Sequence, residues 1–278
     1  MKILKASGER AEFQESRVAA SLRRAGAKEH VIVDILNTLR KELYEDISTK
    51  EIYKRAYYLL KKQDGLTASR YKLKKAIYEL GPTGFPFEKF IAAVFEHSGY
   101  KVEVGNLMQG ICVKHEVDVL AMKENRKLFI ECKFHGDQAK KCDVKIPLYI
   151  NSRFIDLKTF QLKTTVNTGI QHEGWVVTNS RFTEDAITYG RCAGLKLLGW
   201  DYPEGSSLKE RIDSLGLYPI TVSNLLSGRE KQFLLSRDVV LCRQLVQDNF
   251  FLDKLEIGNE RKHLILNEIE KLIVPLIH

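Results

Sequence analysis

The sequence predicts an α/β protein made of several domains. The chain has 278 residues, which exceeds one typical core at roughly 150 residues per domain. Residues 83–204 alternate between helical and strand periodicity, whereas residues 1–82 and 205–278 have mostly helical periodicity. Hydrophobic residues make up 44% and charged residues 29% of the chain, a balance that is typical of folded domains and excludes wholesale disorder.

Residues 1–82 are predicted to begin with a small β-hairpin and to continue as helices. Two short strand-like segments flank a turn at Ser7-Gly8. Ser48 and Glu51 have the spacing of a capping box, which predicts the start of a helix. The segment ends at Gly81-Pro82, because proline cannot continue a helix.

Residues 83–204 are predicted to form a central α/β domain, and residues 205–278 a helical one. Pro86 starts a helix with a buried aromatic stripe, and Gly99 ends it. The other central elements are predicted in this order: strands at 101–104, 116–122 and 127–133, a helix at 143–157, a polar stretch at 158–173, a strand at 175–178, a helix capped by Thr183, and a strand at 195–198.

The composition predicts a cytoplasmic protein with no membrane partner. No apolar run approaches the roughly 18 residues of a membrane span, and the first residues lack the apolar core of a secretion signal. The five cysteines are scattered without a Cys-x-x-Cys pair. This spacing argues against a zinc ribbon or a disulfide framework and predicts free thiols.

The positive charge is concentrated at one end of the chain. Of a net charge of +8, residues 1–82 carry +7, from 18 Lys and Arg against 11 Asp and Glu. A nucleotide or a nucleic acid is the natural partner of such a segment. The alternative is a solvated basic face.

An acidic pair is predicted across a β-hairpin in the central domain. If Lys123–Arg126 is the turn, Asp118 faces Glu131 with Cβ atoms about 5 Å apart, and Lys133 shares that face. Opposed carboxylates repel each other, and Mg²⁺ removes the conflict because it binds one or two carboxylates together with substrate phosphate oxygens. The alternative is a solvated face on which Lys133 pairs with both acids.

The same residues resemble a known nuclease pattern. Asp118, followed after thirteen residues by Glu131-Cys132-Lys133, is similar to the PD-(D/E)xK motif. Phe87-Glu88-x-Phe90 and Trp175–Thr183 resemble the opening helix and the later strand–turn–helix of Mrr-like restriction endonucleases. The resemblance covers most of residues 84–203.

This resemblance implies a restriction-endonuclease-like α/β/α sandwich. Asp118 and Glu131 would be the metal ligands, Lys133 the catalytic lysine, and Glu88 an acidic residue directed toward the metal site. For Glu88, an exposed position on an amphipathic helix is the alternative. His115 and Glu116 would either add a ligand or line the strand.

The first segment resembles a second family. Lys5-Ala6-Ser7-Gly8, Phe13, Arg17 and the helix start at 48–52 are similar to the ATP-cone, a nucleotide-binding regulatory module of ribonucleotide reductases. The resemblance implies that ATP or dATP contacts four residues: Lys5, Gly8, Arg17 and Thr49. A glycine turn, cations and a helix N-terminus suit a triphosphate. A cone kept only for packing or dimerisation is the alternative.

The last segment contains a turn between two predicted helices. Leu255–Lys262 resembles a helix-hairpin-helix element, which implies that Gly258, Arg261 and Lys262 contact DNA phosphates. A plain helical bundle that serves packing or dimerisation is the alternative.

Together these features predict three domains: an ATP-cone (1–82), an Mrr-like nuclease (83–204) and a helix-hairpin-helix-like module (205–278). The predicted activity is Mg²⁺- or Mn²⁺-dependent DNA cleavage in restriction or repair, regulated by ATP or dATP. The expected partners are double-stranded DNA, a nucleoside triphosphate and further copies of the chain. The alternatives are a nucleotide-responsive DNA-binding regulator with an idle nuclease fold, and a nuclease of RNA or branched DNA.

Overall fold

The computed structural model describes residues 1–5, 7–164 and 169–275, and it is an α/β protein with mixed sheets, as the sequence predicts. Two compact units make up the chain. Unit 1 contains Met1–Ile77 and the segment from Tyr218 onward, and unit 2 is Tyr78–Leu217. No helix in the described part of the chain is both long and apolar enough to cross a membrane.

Helices and strands alternate along unit 2, whereas unit 1 is mostly helical, as the periodicity predicts. The described helices are α1 (Glu15–Arg24), α2 (Glu29–Glu42), α3 (Thr49–Gln63), α4 (Gly65–Tyr71), α5 (Leu73–Tyr78), α6 (Phe85–Glu96), α7 (Lys145–Thr164), α8 (Glu184–Ala193), α9 (Leu208–Leu215), α10 (Gly228–Leu235), α11 (Cys242–Gln247), α12 (Phe250–Lys254) and α13 (Asn259–Leu272). The described strands are β1 (Lys2–Leu4), β2 (Arg10–Glu12), β3 (Ile47–Ser48), β4 (Lys101–Gln109), β5 (Lys114–Lys123), β6 (Arg126–Lys133), β7 (Lys141–Cys142), β8 (Gln171–Thr178), β9 (Arg181–Phe182) and β10 (Lys196–Leu198).

Unit 1 begins with a three-stranded sheet in which β1 lies between β2 and β3. The hairpin of β1 and β2 was predicted, and Ile3 pairs with Ala11 across it. The parallel partner β3 was not predicted, because two residues are too few for a periodic signal. Its pairing places Ser48 beside Leu4 and so brings the start of α3 to the end of β1.

The two chain segments of unit 1 share a polar network. The Glu268 carboxylate on α13 accepts hydrogen bonds from Ser69 Oγ (2.9 Å), Ser223 Oγ (2.6 Å) and Asn224 N (3.0 Å). The side chains of Ser69 and Ser223 are fully buried. Because a buried polar group is costly unless it is hydrogen-bonded, this network fixes the C-terminal segment against α4.

Unit 2 is built on a five-stranded mixed sheet with the order β10-β8-β6-β5-β4. The strands β4, β5 and β6 are antiparallel, and β6, β8 and β10 are parallel. The register of β5 and β6 pairs Leu120 with Phe129, which confirms the register that the turn at Lys123–Arg126 predicts. A separate parallel pair of β7 and β9 was not predicted.

Helices cover both faces of this sheet. On one face, Phe95 of α6 makes an edge contact with Trp175 of β8 at a centroid distance of 5.4 Å. On the other, Leu157 of α7 packs in a cluster with Leu120 and Phe129. Residues 158–164 of the predicted polar stretch continue α7, and residues 165–168 lie outside the described residues.

Candidate active site

Asp118 and Glu131 are adjacent across the β5–β6 hairpin. The paired residues of the two strands end at Val119 and Ile130, so the two acids occupy the next position of the same register. The Asp118 Oδ2 atom accepts a hydrogen bond of 2.7 Å from the backbone N–H of Cys132. This bond turns the Asp118 carboxylate toward β6 and holds it beside Glu131.

A cation from α7 contacts this acidic pair. Arg153 Nη1 donates to Glu131 Oε2 at 2.8 Å, and the two side chains are 17% and 22% exposed. The other terminal nitrogen of Arg153 donates to the backbone carbonyl of Glu116. Arg153 was not predicted as a site residue. A signal did exist, because Arg153 is a cation on the inward stripe formed by Ile150, Phe154 and Leu157.

The charge of Arg153 does not fully offset the burial and the mutual repulsion of the two acids. Burial raises the pKa of Glu131 to about 7, and the charge of Asp118 adds to the effect, while Arg153 and Lys133 oppose it. Burial also raises the pKa of Asp118. Near neutral pH, a further positive charge nearby would stabilise the ionised form of such a carboxyl.

Lys133 and Glu88 are the other two predicted residues of this site. Lys133 follows Glu131 by two residues on β6, so the two side chains share one face of the sheet, and its charge opposes the rise that burial causes in the pKa of Asp118. Glu88 lies in the first turn of α6. Burial, together with the charges of Asp118 and Glu116, raises the pKa of Glu88 to about 7.

The donor set fits a hard divalent cation that shares its coordination with a substrate. Within the described residues, no three His, Cys, Asp or Glu side chains are grouped so that they could hold a metal ion alone. Asp118 and Glu131 provide two carboxylates, and Mg²⁺ is commonly bound by one or two carboxylates together with waters and phosphate oxygens. His115 is not directed to this role, because its Nε2 atom is 2.8 Å from Asp156 Oδ2 of α7.

The predicted nucleotide contacts of unit 1 lie at the end of the small sheet. Gly8 has a φ of 83°, a value that favours glycine, and its N–H donates to the carbonyl of Lys5 at 2.9 Å. The Lys5 ammonium pairs with Glu9 at 3.0 Å. Ser48 caps α3 by accepting from the N–H of Glu51, and Thr49 is the first residue of that helix. Arg17 is exposed on α1.

The predicted DNA contacts of the C-terminal turn are already paired. Gly258 directly precedes α13, the position that the helix-hairpin-helix resemblance implies. Arg261 forms two hydrogen bonds to the carboxylate of Glu230, at 2.6 and 2.7 Å. The ammonium of Lys262 is 2.6 Å from Asp253. A DNA phosphate would have to displace these carboxylates.

The chain is similar to proteins whose names carry no activity. Residues 218–273, which make up most of the C-terminal segment of unit 1, match the family model AF1548-like, C-terminal. An uncharacterized protein of Archaeoglobus fulgidus is 29% identical over 184 residues, which cover 66% of this chain and 99% of the relative. The crystal structure of a protein of unknown function, AF1548, covers 69% of this chain and 98% of its own, with 28% identity and a TM-score of 0.55. These likenesses support a shared fold over about two thirds of the chain.

Proposed function

We propose that this chain is a divalent-metal-dependent endonuclease that hydrolyses the phosphodiester bonds of double-stranded DNA. One observation carries the proposal: Asp118 and Glu131 are half-buried at one position of a hairpin, where the pKa of Glu131 is about 7. Folding alone gives no reason to keep two opposed carboxylates there. Ionisable groups with perturbed pKa values in a partly buried cluster are characteristic of functional sites.

The residues of the site divide the work of phosphodiester hydrolysis. Mg²⁺ or Mn²⁺ bound by Asp118 and Glu131 would stabilise the negative charge that develops on the phosphate. Lys133 shares the face of Glu131 and would donate a hydrogen bond to the attacking water or to a phosphate oxygen. Glu88 has a carboxyl group that titrates near pH 7 and would accept a hydrogen bond from a water beside Asp118.

The arrangement of unit 2 supports this chemistry. Helices on both faces of a mixed sheet are compatible with the restriction-endonuclease-like α/β/α sandwich that the PD-(D/E)xK resemblance implies. The site lies directly beyond Val119 and Ile130, the last paired residues of β5 and β6. The pairing of these two strands therefore does not continue past the site. We therefore assign the nuclease to unit 2 and propose a restriction or repair role.

Nucleotide regulation is assigned to unit 1. The pairing of Leu4 with Ser48 brings the turn after β1 next to the N-terminus of α3. Lys5 and Gly8 lie in this turn and Thr49 begins the helix, so a cation, a glycine and a helix N-terminus are grouped as a triphosphate needs. ATP or dATP is the proposed ligand, with Arg17 as a further cation.

A thermal melt tests the nucleotide site. ATP at about 100 times its dissociation constant should stabilise the protein by roughly 2.7 kcal/mol if only the folded state binds it. Lys5→Ala with Arg17→Ala should abolish that stabilisation, while Lys2→Ala with Lys28→Ala, which removes two exposed lysines of unit 1 outside the predicted nucleotide site, should retain it. An equal stabilisation by pyrophosphate or heparin would show a nonspecific basic face instead.

A cleavage assay tests the nuclease. The wild-type chain, incubated with supercoiled plasmid and either Mg²⁺ or Mn²⁺, should produce nicked and linear DNA, and EDTA should prevent it. Parallel reactions with an RNA duplex and a branched DNA of the same sequence identify the substrate. Retention of the plasmid in a gel-shift assay without cleavage under any metal would favour a DNA-binding regulator with an idle nuclease fold.

A further inference from the structure

Three exposed lysines of unit 2 follow the candidate active site along the chain. Lys140, Lys141 and Lys145 are exposed, and none of them forms an ion pair with a described residue. They differ in this from Arg261 and Lys262, whose charges are neutralised by Glu230 and Asp253. Free cations are available to an external anion without first losing a partner.

The two acidic residues of the same segment accept hydrogen bonds from its backbone. Asp137 Oδ1 accepts from the N–H of Ala139 at 2.9 Å, and Asp143 Oδ1 accepts from the N–H of Lys145 at 2.9 Å. Both carboxylates therefore stabilise turns of the segment. Neither carboxylate forms an ion pair with the three lysines in the described part of the chain.

A buried clamp fixes this segment to the end of the sheet. The backbone N–H of His135 donates to Asn179 Oδ1, and Asn179 Nδ2 donates to the carbonyl of His135, both at 2.8 Å. Asn179 is fully buried. The carbonyl of Lys133 accepts from Thr178 Oγ1 at 2.7 Å, so the chain leaves the catalytic strand in a defined direction.

The sheet pairing also limits how far the lysines lie from the site. Lys133 pairs with Thr178, and three residues later Arg181 pairs with Lys141. With about 4.8 Å between paired strands and about 3.4 Å per extended residue, the Cα atoms of Lys133 and Lys141 are at most about 20 Å apart. B-DNA advances 3.4 Å along its axis for each phosphate of one strand, so this upper limit corresponds to at most about six phosphates of a strand.

We infer that the segment from Lys133 to Lys145, the lysine segment, is the surface on which unit 2 binds the phosphate backbone of double-stranded DNA. The inference rests on the proposed DNA substrate and adds where the duplex lies. Lys140, Lys141 and Lys145 contact successive phosphates, and the buried Asn179 clamp holds the segment in register with Lys133. The duplex is thereby presented to Asp118 and Glu131 at the end of β6.

Fluorescence anisotropy with a labelled 20-base-pair duplex in EDTA tests this surface without any cleavage. The Lys140→Ala, Lys141→Ala, Lys145→Ala triple variant should bind at least tenfold more weakly at about 0.1 M salt. The logarithm of the association constant falls linearly with the logarithm of the salt concentration. Each lost phosphate contact reduces the magnitude of this slope by about 0.9, so the magnitude should fall by about 2.7 in the triple variant. Gln138→Lys, at an exposed position of the same segment, should raise the magnitude of the slope by about 0.9.

A matched triple variant controls for charge alone. Lys101→Ala, Lys114→Ala, Lys163→Ala removes three other exposed lysines of unit 2 and should keep the wild-type slope. Equal losses in the two triple variants, or an unchanged slope in the first, would overturn the inference. A loss confined to an RNA duplex would overturn it as well.

The outcome is separable from that of the proposed nuclease. A reduced slope in the first triple variant, together with a wild-type chain that cleaves nothing, would keep the surface and remove the nuclease. Plasmid cleavage by a wild-type chain whose duplex affinity is unaffected by the triple variant would keep the nuclease and remove the surface.

Discussion

Two charged regions of the molecule differ in the direction in which the pKa of an arginine-paired carboxyl is shifted. At the C-terminal turn of unit 1, Arg261 lowers the pKa of Glu230 to about 2, because two hydrogen bonds stabilise the charged carboxylate. At the acidic hairpin of unit 2, Arg153 also contacts a carboxylate, yet burial and Asp118 raise the pKa of Glu131 to about 7. The first region is balanced by its own residues. In the second region the cation does not offset burial and the charge of Asp118, and this difference is why we propose a ligand site there and a packing contact at the C-terminal turn.

The largest expected effect is on catalysis. Glu131→Gln or Asp118→Asn keeps the side-chain volume but removes the negative charge that a hard cation requires. Because a bound metal contributes several kcal/mol to the transition state, cleavage should fall by more than about a hundredfold. Initial rates of plasmid cleavage measure it. Glu103→Gln, an exposed glutamate of β4 in the same sheet, is the matched control and should cleave at the wild-type rate.

Removing the internal cation should sharpen the contrast between the two regions. Arg153→Met leaves Glu131 without its partner, so the metal-free protein should lose roughly 1–3 kcal/mol of stability at pH 8. Mn²⁺ should then raise the melting temperature of this variant more than that of the wild type. Arg126→Met, which breaks the ion pair with Glu173 on the same sheet, is the control and should show the wild-type response to Mn²⁺. A smaller response in Arg153→Met would mean that Arg153 helps to hold the metal.

The raised pKa of Glu131 predicts a pH-dependent stability. The folded protein keeps a proton on Glu131 up to about pH 7, whereas the unfolded chain releases it near its ordinary value of 4.5. The wild type therefore loses stability as the pH rises between these values. In EDTA, Glu131→Gln should melt close to the wild type at pH 4.5 and several degrees above it at pH 8. A variant that melts below the wild type at pH 8 would show that the carboxylate stabilises the fold.

The smallest effect is expected at the C-terminal turn. Arg261→Ala should cost about 1 kcal/mol at pH 7, because Arg261 is 44% exposed and solvent screens its ion pair. The pKa of Glu230 is lowered, so this stabilisation is lost as the pH falls from the ordinary value of 4.5 through about 2. The melting temperatures of variant and wild type should converge at acidic pH. Duplex binding weakened tenfold by Arg261→Ala would instead return the DNA contact to this turn.

Local patterns predicted much of the fold. The register of β5 and β6 followed from a turn and alternating apolar residues, and it is confirmed. Ser48 and Thr183 were recognised as helix caps, and both accept the expected backbone hydrogen bonds. Each of these features depends on residues within a few positions of one another, so a single stretch of sequence carries the whole signal.

Long-range contacts could not be predicted in the same way. The strands β3, β7 and β9 have two residues each and exist because a distant partner is present. The hydrogen bond from Ser69 to Glu268 joins residues 199 positions apart. Arg153 reaches Glu131 only after α7 has packed on the sheet, so the sequence predicted that Asp118 and Glu131 face each other but not the cation beside them.

Binding of Mn²⁺, measured by calorimetric titration without DNA, tests the central claim most directly. The wild type and Glu103→Gln should each bind one ion at the acidic hairpin, and Asp118→Asn and Glu131→Gln should each lose that binding while they remain folded. Equal Mn²⁺ affinity in all four proteins would contradict the account, because the two opposed carboxylates would then serve no metal.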